Sequence, residues 1–281
     1  MKSASSDEFY IGYLPKAPAS IARATRWFIF FLILIVPVIA FLITAYEKDF
    51  STATFDFGQP SRVTGTLTLQ PVPMLIVNHG TTPTGEAIEQ SILLIGFGKA
   101  GAEHTLETME KEQGRSLEGK QLELEGSLIY HDGKTLLELT KGKAALIEIS
   151  ENTPPIAIRP KPMGSASFVG EIADPKCYFG VMKPGEGKPH RSCAARCIAG
   201  GIPPVLKAAD ETGAVNYYLV LGSNGEKIND QVLPFVGKAI RLDGDVEKWG
   251  DWYVIKTTVD TKISPLFSLL GTQIPLCNAK K

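Results

Sequence analysis

One aspartate, three thiols and one imidazole fall within twenty-four residues of this sequence: Asp174-Pro175-Lys176-Cys177, a twelve-residue spacer, then His190-Arg191-Ser192-Cys193-Ala194-Ala195-Arg196-Cys197. Thiolates are soft ligands and imidazole a borderline one, so a Cys₃His set suits Zn²⁺, iron or Cu(I). If Arg191 to Ala199 is helical, His190, Cys193 and Cys197 recur at i, i+3 and i+7 and share one face. Ala194, Ala195 and Arg196 favour that helix, and Gly200-Gly201 with Pro203-Pro204 end it. The Gly/Pro-rich loop from Val181 to His190 would bring Cys177 back to complete a tetrahedron. Asp174 would then be a further ligand, or the acceptor that fixes the histidine tautomer. The expected metal residues are therefore Cys177, His190, Cys193, Cys197 and Asp174, and the expected cofactor is one zinc, iron or copper ion.

The same thiols have two other uses. Outside the cytoplasm cysteines are oxidised in pairs, and Cys177 could bridge to Cys193 or Cys197, leaving the remaining one to Cys277. A reactive thiol is the third reading, because Lys183, Lys188, Arg191 and Arg196 make the segment basic enough to favour a thiolate or attract an acidic partner. His79, His104 and His131 lie beside turns or on a polar stretch and read as solvated. Gly96-Phe97-Gly98-Lys99-Ala100-Gly101 has the spacing G-x-G-x-x-G, with a helix expected over Ala102–Gln113 and Glu118 near the acidic position of a dinucleotide fingerprint. Against a nucleotide site, Asn216 to Gly225 occupies a similar place further on and reads as a plain strand and turn.

The run GEIADPKCYFGVMKPGEGKPHRSCAARCIAGGIPP resembles a module of bacterial exported and membrane-anchored proteins, mostly uncharacterised, with the pattern D-x-x-C…H-x₂-C-x₃-C followed by glycine and proline. Asp174, Cys177, His190, Cys193, Cys197, Gly201 and Pro203 match it over about 35 residues. The resemblance implies an envelope protein linked to respiratory or metal chemistry.

These residues must be positioned by a chain of 281 residues that is 44% hydrophobic and 21% charged, with a net charge of −1. Such apolar content excludes a disordered chain, and the balanced charge argues against nucleic acid as a partner. Trp27 to Tyr46 is a run of twenty residues without a charge. As a helix it spans roughly 30 Å, a bilayer core, bracketed by interfacial aromatics. Lys2, Lys16, Arg23 and Arg26 precede it, so the positive-inside rule leaves residues 1–26 in the cytoplasm and carries 47–281 across the inner membrane into a periplasm. The bilayer is thus one expected partner, and an integral-membrane or periplasmic protein another.

Beyond the anchor, short runs alternate with a period of two, as in Arg62–Gln70, Lys120–His131 and Lys134–Thr140. His131-Asp132-Gly133 marks a type I′ hairpin. Gly119-KQLELEGSLI-Tyr130 is echoed 118 residues on by Gly237-KAIRLDGDVE-Lys248, and Val63-TGTL by Val169-GEI. Trp249 and Trp252 flank the last hairpin turn and read as packing residues. The fold expected is mainly β: one transmembrane helix, then two tandem OB-like small barrels at 47–151 and 166–281, the second with a helical Cys/His insertion at 174–204. Residues 152–165, rich in proline, read as a semi-stiff linker. In the first copy Val77 to Ala87 would be the insertion's counterpart, without cysteine or helix. The function expected is an accessory subunit of a membrane redox or metal-handling assembly. The alternative is a disulfide-stapled structural or partner-binding envelope protein.

Overall fold

The structure, a computed structural model, describes residues 19–46, 52–85, 87–150, 158–210 and 212–265. Helix α1, Ala19–Tyr46, forms the N-terminal unit. Its stretch Ile21–Tyr46 is long and apolar enough to cross a membrane. The helix starts eight residues before Trp27 and takes in Arg23 and Arg26. Pro37 sits within it, and the Thr44 hydroxyl donates to the Ala40 carbonyl at 2.8 Å, as hydroxyls do in apolar helices.

The other unit is mainly β. Its first half contains β1 (Thr54–Phe55), β2 (Ser61–Thr68), β3 (Met74–Thr81), β4 (Ala87–Gly96), α2 (Glu103–Gln113), β5 (Gln121–His131), β6 (Lys134–Leu139) and β7 (Leu146–Ser150). Strands β2, β3, β4, β6 and β5 pair in that order, and β5 returns to β2, closing a five-stranded barrel. All pairs are antiparallel except β4 with β6. The β5–β6 hairpin turns where alternation and Asp-Gly place it, with φ of 51° at Asp132 and 74° at Gly133.

The second half contains β8 (Lys161–Ala173), α3 (Gly187–Ala199), β9 (Val205–Ala209), β10 (Val215–Gly222), β11 (Ala239–Trp249), β12 (Trp252–Thr257) and β13 (Ile263–Pro265). Its pairings run β8, β9, β10, β12, β11 and back to β8, again with one parallel pair, β10 with β12. Matching positions carry matching registers: Leu94 faces Leu137 in the first ring, and Val220 faces Ile255 in the second. Gly65 faces Leu122 as Gly170 faces Ile240, so the first strands correspond through their glycines, one residue away from an alignment on Val63 and Val169. At Gly126 a Cβ would collide with the Glu138 carbonyl oxygen, and at the matching Gly244 with that of Lys256.

Three cores follow from the pleat. Ile92 and Leu94 of β4 point into the first barrel with Leu67, Leu122 and Leu137. Tyr218 and Val220 of β10 point into the second ring with Ile172, Leu206 and Ile240. The alternate residues, Leu93 and Ile95 against Leu219 and Leu221, meet in a third core between the two rings, with Met74, Leu136, Val205, Val254 and Trp252. This seam is reciprocal. Ser91 of β4 receives the second hairpin, its carbonyl accepting from Trp252 Nε1 at 3.0 Å and its N–H donating to Asp251 at 3.1 Å. Tyr217, at the matching place in β10, donates to Asp132 of the first hairpin at 3.1 Å. Each ring meets the other with the same face, as across a twofold axis.

The linker expectation changes accordingly. Lys161 to Ser165 belong to β8 and pair with β11, and the rings share a core instead of standing apart on a spacer. Residues 152–157 of that linker, and Cys277, lie outside the described residues.

Candidate metal centre

The connection from β8 to β9 builds the site. Asp174, fully buried, follows β8 directly and accepts the N–H groups of Lys176 at 2.9 Å and Cys177 at 3.4 Å. This turns the chain into a wide turn over Cys177–Val181, which lays Cys177 and Phe179 against the first barrel. Helix α3 begins at Gly187, four residues earlier than expected, so His190 lies within it. Glu171 accepts the Gly187 N–H at 2.6 Å and so ties the helix start to β8. Gly200 and Gly201 close the helix with N–H bonds to Arg196 and Ile198, both 3.0 Å.

All five expected residues converge. The ligand atoms of Cys177, His190 and Cys193 lie within 4.8 Å of one another, as do those of Asp174, Cys177 and Cys197, so Cys177 joins the two groups. Tetrahedral zinc, at about 2.3 Å from sulfur, needs ligand atoms roughly 3.8 Å apart. Asp174, Cys177, His190 and Cys197 are buried and Cys193 is half-buried. No S–S bond joins the three described cysteines, which are free thiols. Asp174 Oδ2 and His190 Nε2 face each other at 3.8 Å, and neither has a hydrogen-bond partner among the described residues. Buried polar atoms are rarely left so.

The charge beside the thiols comes from the other ring. Lys99 Nζ donates to Cys193 Sγ at 2.8 Å and lies 3.8 Å from Cys197 Sγ. That bond to Cys193, with the charge of Cys197, holds the Lys99 pKa above its ordinary value. Cys177 hydrogen-bonds to Cys197, which raises the Cys177 pKa and lowers that of Cys197; burial and Asp174 also push Cys177 up, and Lys99 helps lower Cys197. Behind this layer, Lys176 forms a buried ion pair with Glu138 and donates to the carbonyls of Gly96 and Gly98. The Gly98 N–H donates to Glu138 at 3.2 Å, so the pair is satisfied on several sides.

The G-x-G-x-x-G run lies against the thiol site, between β4 and α2. Gly96 ends β4 beside β6 in the one parallel pair of the first barrel, and Gly101 donates to the Gly200 carbonyl at 2.9 Å. A Cβ at Gly200 would collide with the Lys99 carbonyl oxygen, so the loop reaches α3 backbone to backbone. Glu118 accepts the Leu69 N–H at 2.6 Å. Sequence reasoning missed Lys99 as a site residue. The signal was that glycine loop, whose glycines permit close approach to another backbone instead of a pyrophosphate.

Other expectations sort as follows. Lys183, Lys188, Arg191 and Arg196 are exposed, and the ammonium that bonds a thiol is Lys99 instead. His79 is exposed and bonded to Gln90, and His104 is exposed on α2. His131 is half-buried, its ring centroid 6.0 Å from that of Tyr178 and 6.2 Å from Phe179, so it packs on the cysteine segment instead of standing in solvent. Trp252 is fully buried in the seam and Trp249 packs at its edge. Val77 to Ala87 is the β3–β4 hairpin, so the place matching the cysteine segment is Leu69–Pro73, between β2 and β3.

No protein-family model, curated protein or solved structure matches the chain.

Proposed function

We propose that this chain is a single-pass, membrane-anchored envelope protein of the bacterial exported class its cysteine module resembles. Its N-terminus lies in the cytoplasm and two tandem OB-type barrels lie outside. The seam between the barrels holds one zinc, iron or copper ion on Cys177, His190, Cys193 and Cys197. Asp174 orients the imidazole or enters the coordination. The protein serves as an accessory subunit of a membrane redox or metal-handling assembly.

One observation carries the reading: two buried polar atoms, Asp174 Oδ2 and His190 Nε2, have no hydrogen-bond partner among the described residues and stand beside three unbridged thiols. An ion in this pocket of ligands gives the imidazole and the thiolates a partner, with the carboxylate beside them. A disulfide staple would leave the histidine and carboxylate as they are. The barrel reading rests on the repeated ring of pairings, which is the order of an OB fold.

Elemental analysis of the full chain purified in detergent should find about one ion per chain, and Cys193→Ser should lose it because an incomplete tetrahedron binds weakly. Metal-free protein whose thiols resist alkylation until reduced would establish the staple instead. Alkaline phosphatase fused after Lys281 should be active; an inactive fusion, with a cytoplasmic reporter active in its place, reverses the orientation.

A further inference from the structure

Resting on that reading of the cysteine cluster as a metal centre, we infer that the glycine loop Gly96–Gly101 of the first barrel is a latch on the ion: seating of the loop and ion affinity are one coupled equilibrium, with Lys99 as the positioning residue. The ligands all come from 174–197, yet the cluster is finished by the other ring. Lys99 Nζ bonds Cys193 and approaches Cys197, the two sulfurs one turn apart on α3. An N–H···S bond fixes where a sulfur lone pair points, and that direction decides whether the sulfur faces an ion.

Lys99 is exposed and has a long stem, so by itself it would wander. Its backbone is held from two sides. Toward the barrel, Lys176 and Glu138 clasp Gly96 and Gly98. Toward α3, Gly101 donates to Gly200, and the Lys99 carbonyl lies against Gly200 with no room for a Cβ. Lys176 adjoins Cys177, and Gly200 lies three residues past Cys197. Any movement of the ligands on binding is therefore felt by the loop, and any shift of the loop moves two sulfurs. Coupling of this kind is reciprocal: what the loop contributes to ion affinity, the ion contributes to loop seating.

The test uses the full chain in detergent, stripped of metal and titrated with Zn²⁺ or Co²⁺. Loading should slow amide exchange in 96–101 and 200–202 by about tenfold or more, a loss of local opening. Lys99→Gln and Gly200→Ala should each weaken the ion by about 10–100-fold, the range seen when a ligand's supporting partner is removed. Lys99→Arg, which keeps an N–H donor and the charge, should retain most of the affinity. The sulfur-to-cobalt charge-transfer bands should shift in Lys99→Gln, which a residue that only supports the fold would not cause. Lys99 is exposed, so this variant folds even if Gly200→Ala does not. Wild-type protein that binds the ion, with Lys99→Gln binding equally well and loop exchange unchanged, overturns the latch and leaves the metal reading intact. Wild-type protein that takes up no ion overturns both.

Discussion

The first barrel and the second ring share an order of strands, one parallel pair and matched glycines, but differ most at one connection. Between β2 and β3 the first has five residues, Leu69–Pro73; between β8 and β9 the second has thirty-one, 174–204, with every thiol of the site among them. The ring is the scaffold, and the candidate ligands sit on the longer connection. The seam shows a second asymmetry. Lys134 and Trp252 hold matching places at the starts of β6 and β12, and they meet, the Lys134 ammonium 5.2 Å from the Trp252 ring. One barrel offers the aromatic surface and the other the charge.

That asymmetry sets the largest expected effect. Trp252 is fully buried, so Trp252→Ala should cost about 3–5 kcal/mol of unfolding free energy. Lys134→Ala at the matching place should cost only about 0.5–1 kcal/mol, the range of a partly exposed cation–π contact. Denaturant unfolding of the two variants measures both. Equal costs would mean that the seam draws on its two faces alike, and the comparison would fail there.

Matched positions with matched surroundings should respond alike. Gly126→Ala and Gly244→Ala each drive a Cβ into a carbonyl oxygen of the neighbouring strand. Each should therefore lose about 1–3 kcal/mol by overpacking, and by similar amounts. A loss in one ring alone would show that the shared pairing order hides different packing.

Much of the β pattern was legible before any coordinates. The echo of Gly119–Tyr130 in Gly237–Lys248 marks β5 and β11, Asp132-Gly133 marks the hairpin, and the alanine-rich run marks α3, because those signals are local. The seam was not read, although its mark is present. Ser91-Ile-Leu-Leu-Ile-Gly96 and Tyr217-Tyr-Leu-Val-Leu-Gly222 are continuous apolar runs where a one-sided strand would alternate, and such runs belong to strands buried on both faces. Overlooking that second face turned two joined rings into beads on a linker. The five candidate ligands were legible because helical spacing groups three of them. Lys99 was not, because it approaches Cys193 across 94 residues and no local rule links the two.

The smallest expected effect probes how dry the seam is on the lysine side. Lys134 Nζ donates to the Asp251 carbonyl, and burial holds its pKa below the ordinary 10.5, with Asp251 and Asp132 pulling the other way and Lys248 adding to the depression. For a base with a depressed folded pKa, the unfolded chain binds the proton more tightly. Between the lowered value and 10.5, unfolding therefore takes up protons, and stability rises with pH. Below that window the ammonium is carried in both states and its desolvation cost is present in full; above it the amine is neutral in both and the cost is gone. Lys134→Met keeps a stem against Trp252 but has nothing to titrate. As pH rises toward 10.5 the wild type should gain on this variant in Tm. A constant gap, or one that moves toward the variant, would mean that the ammonium keeps its water in the folded chain. The seam would then be as wet at Lys134 as it is dry at Trp252, and the two matched positions would differ in solvation as well as in side chain.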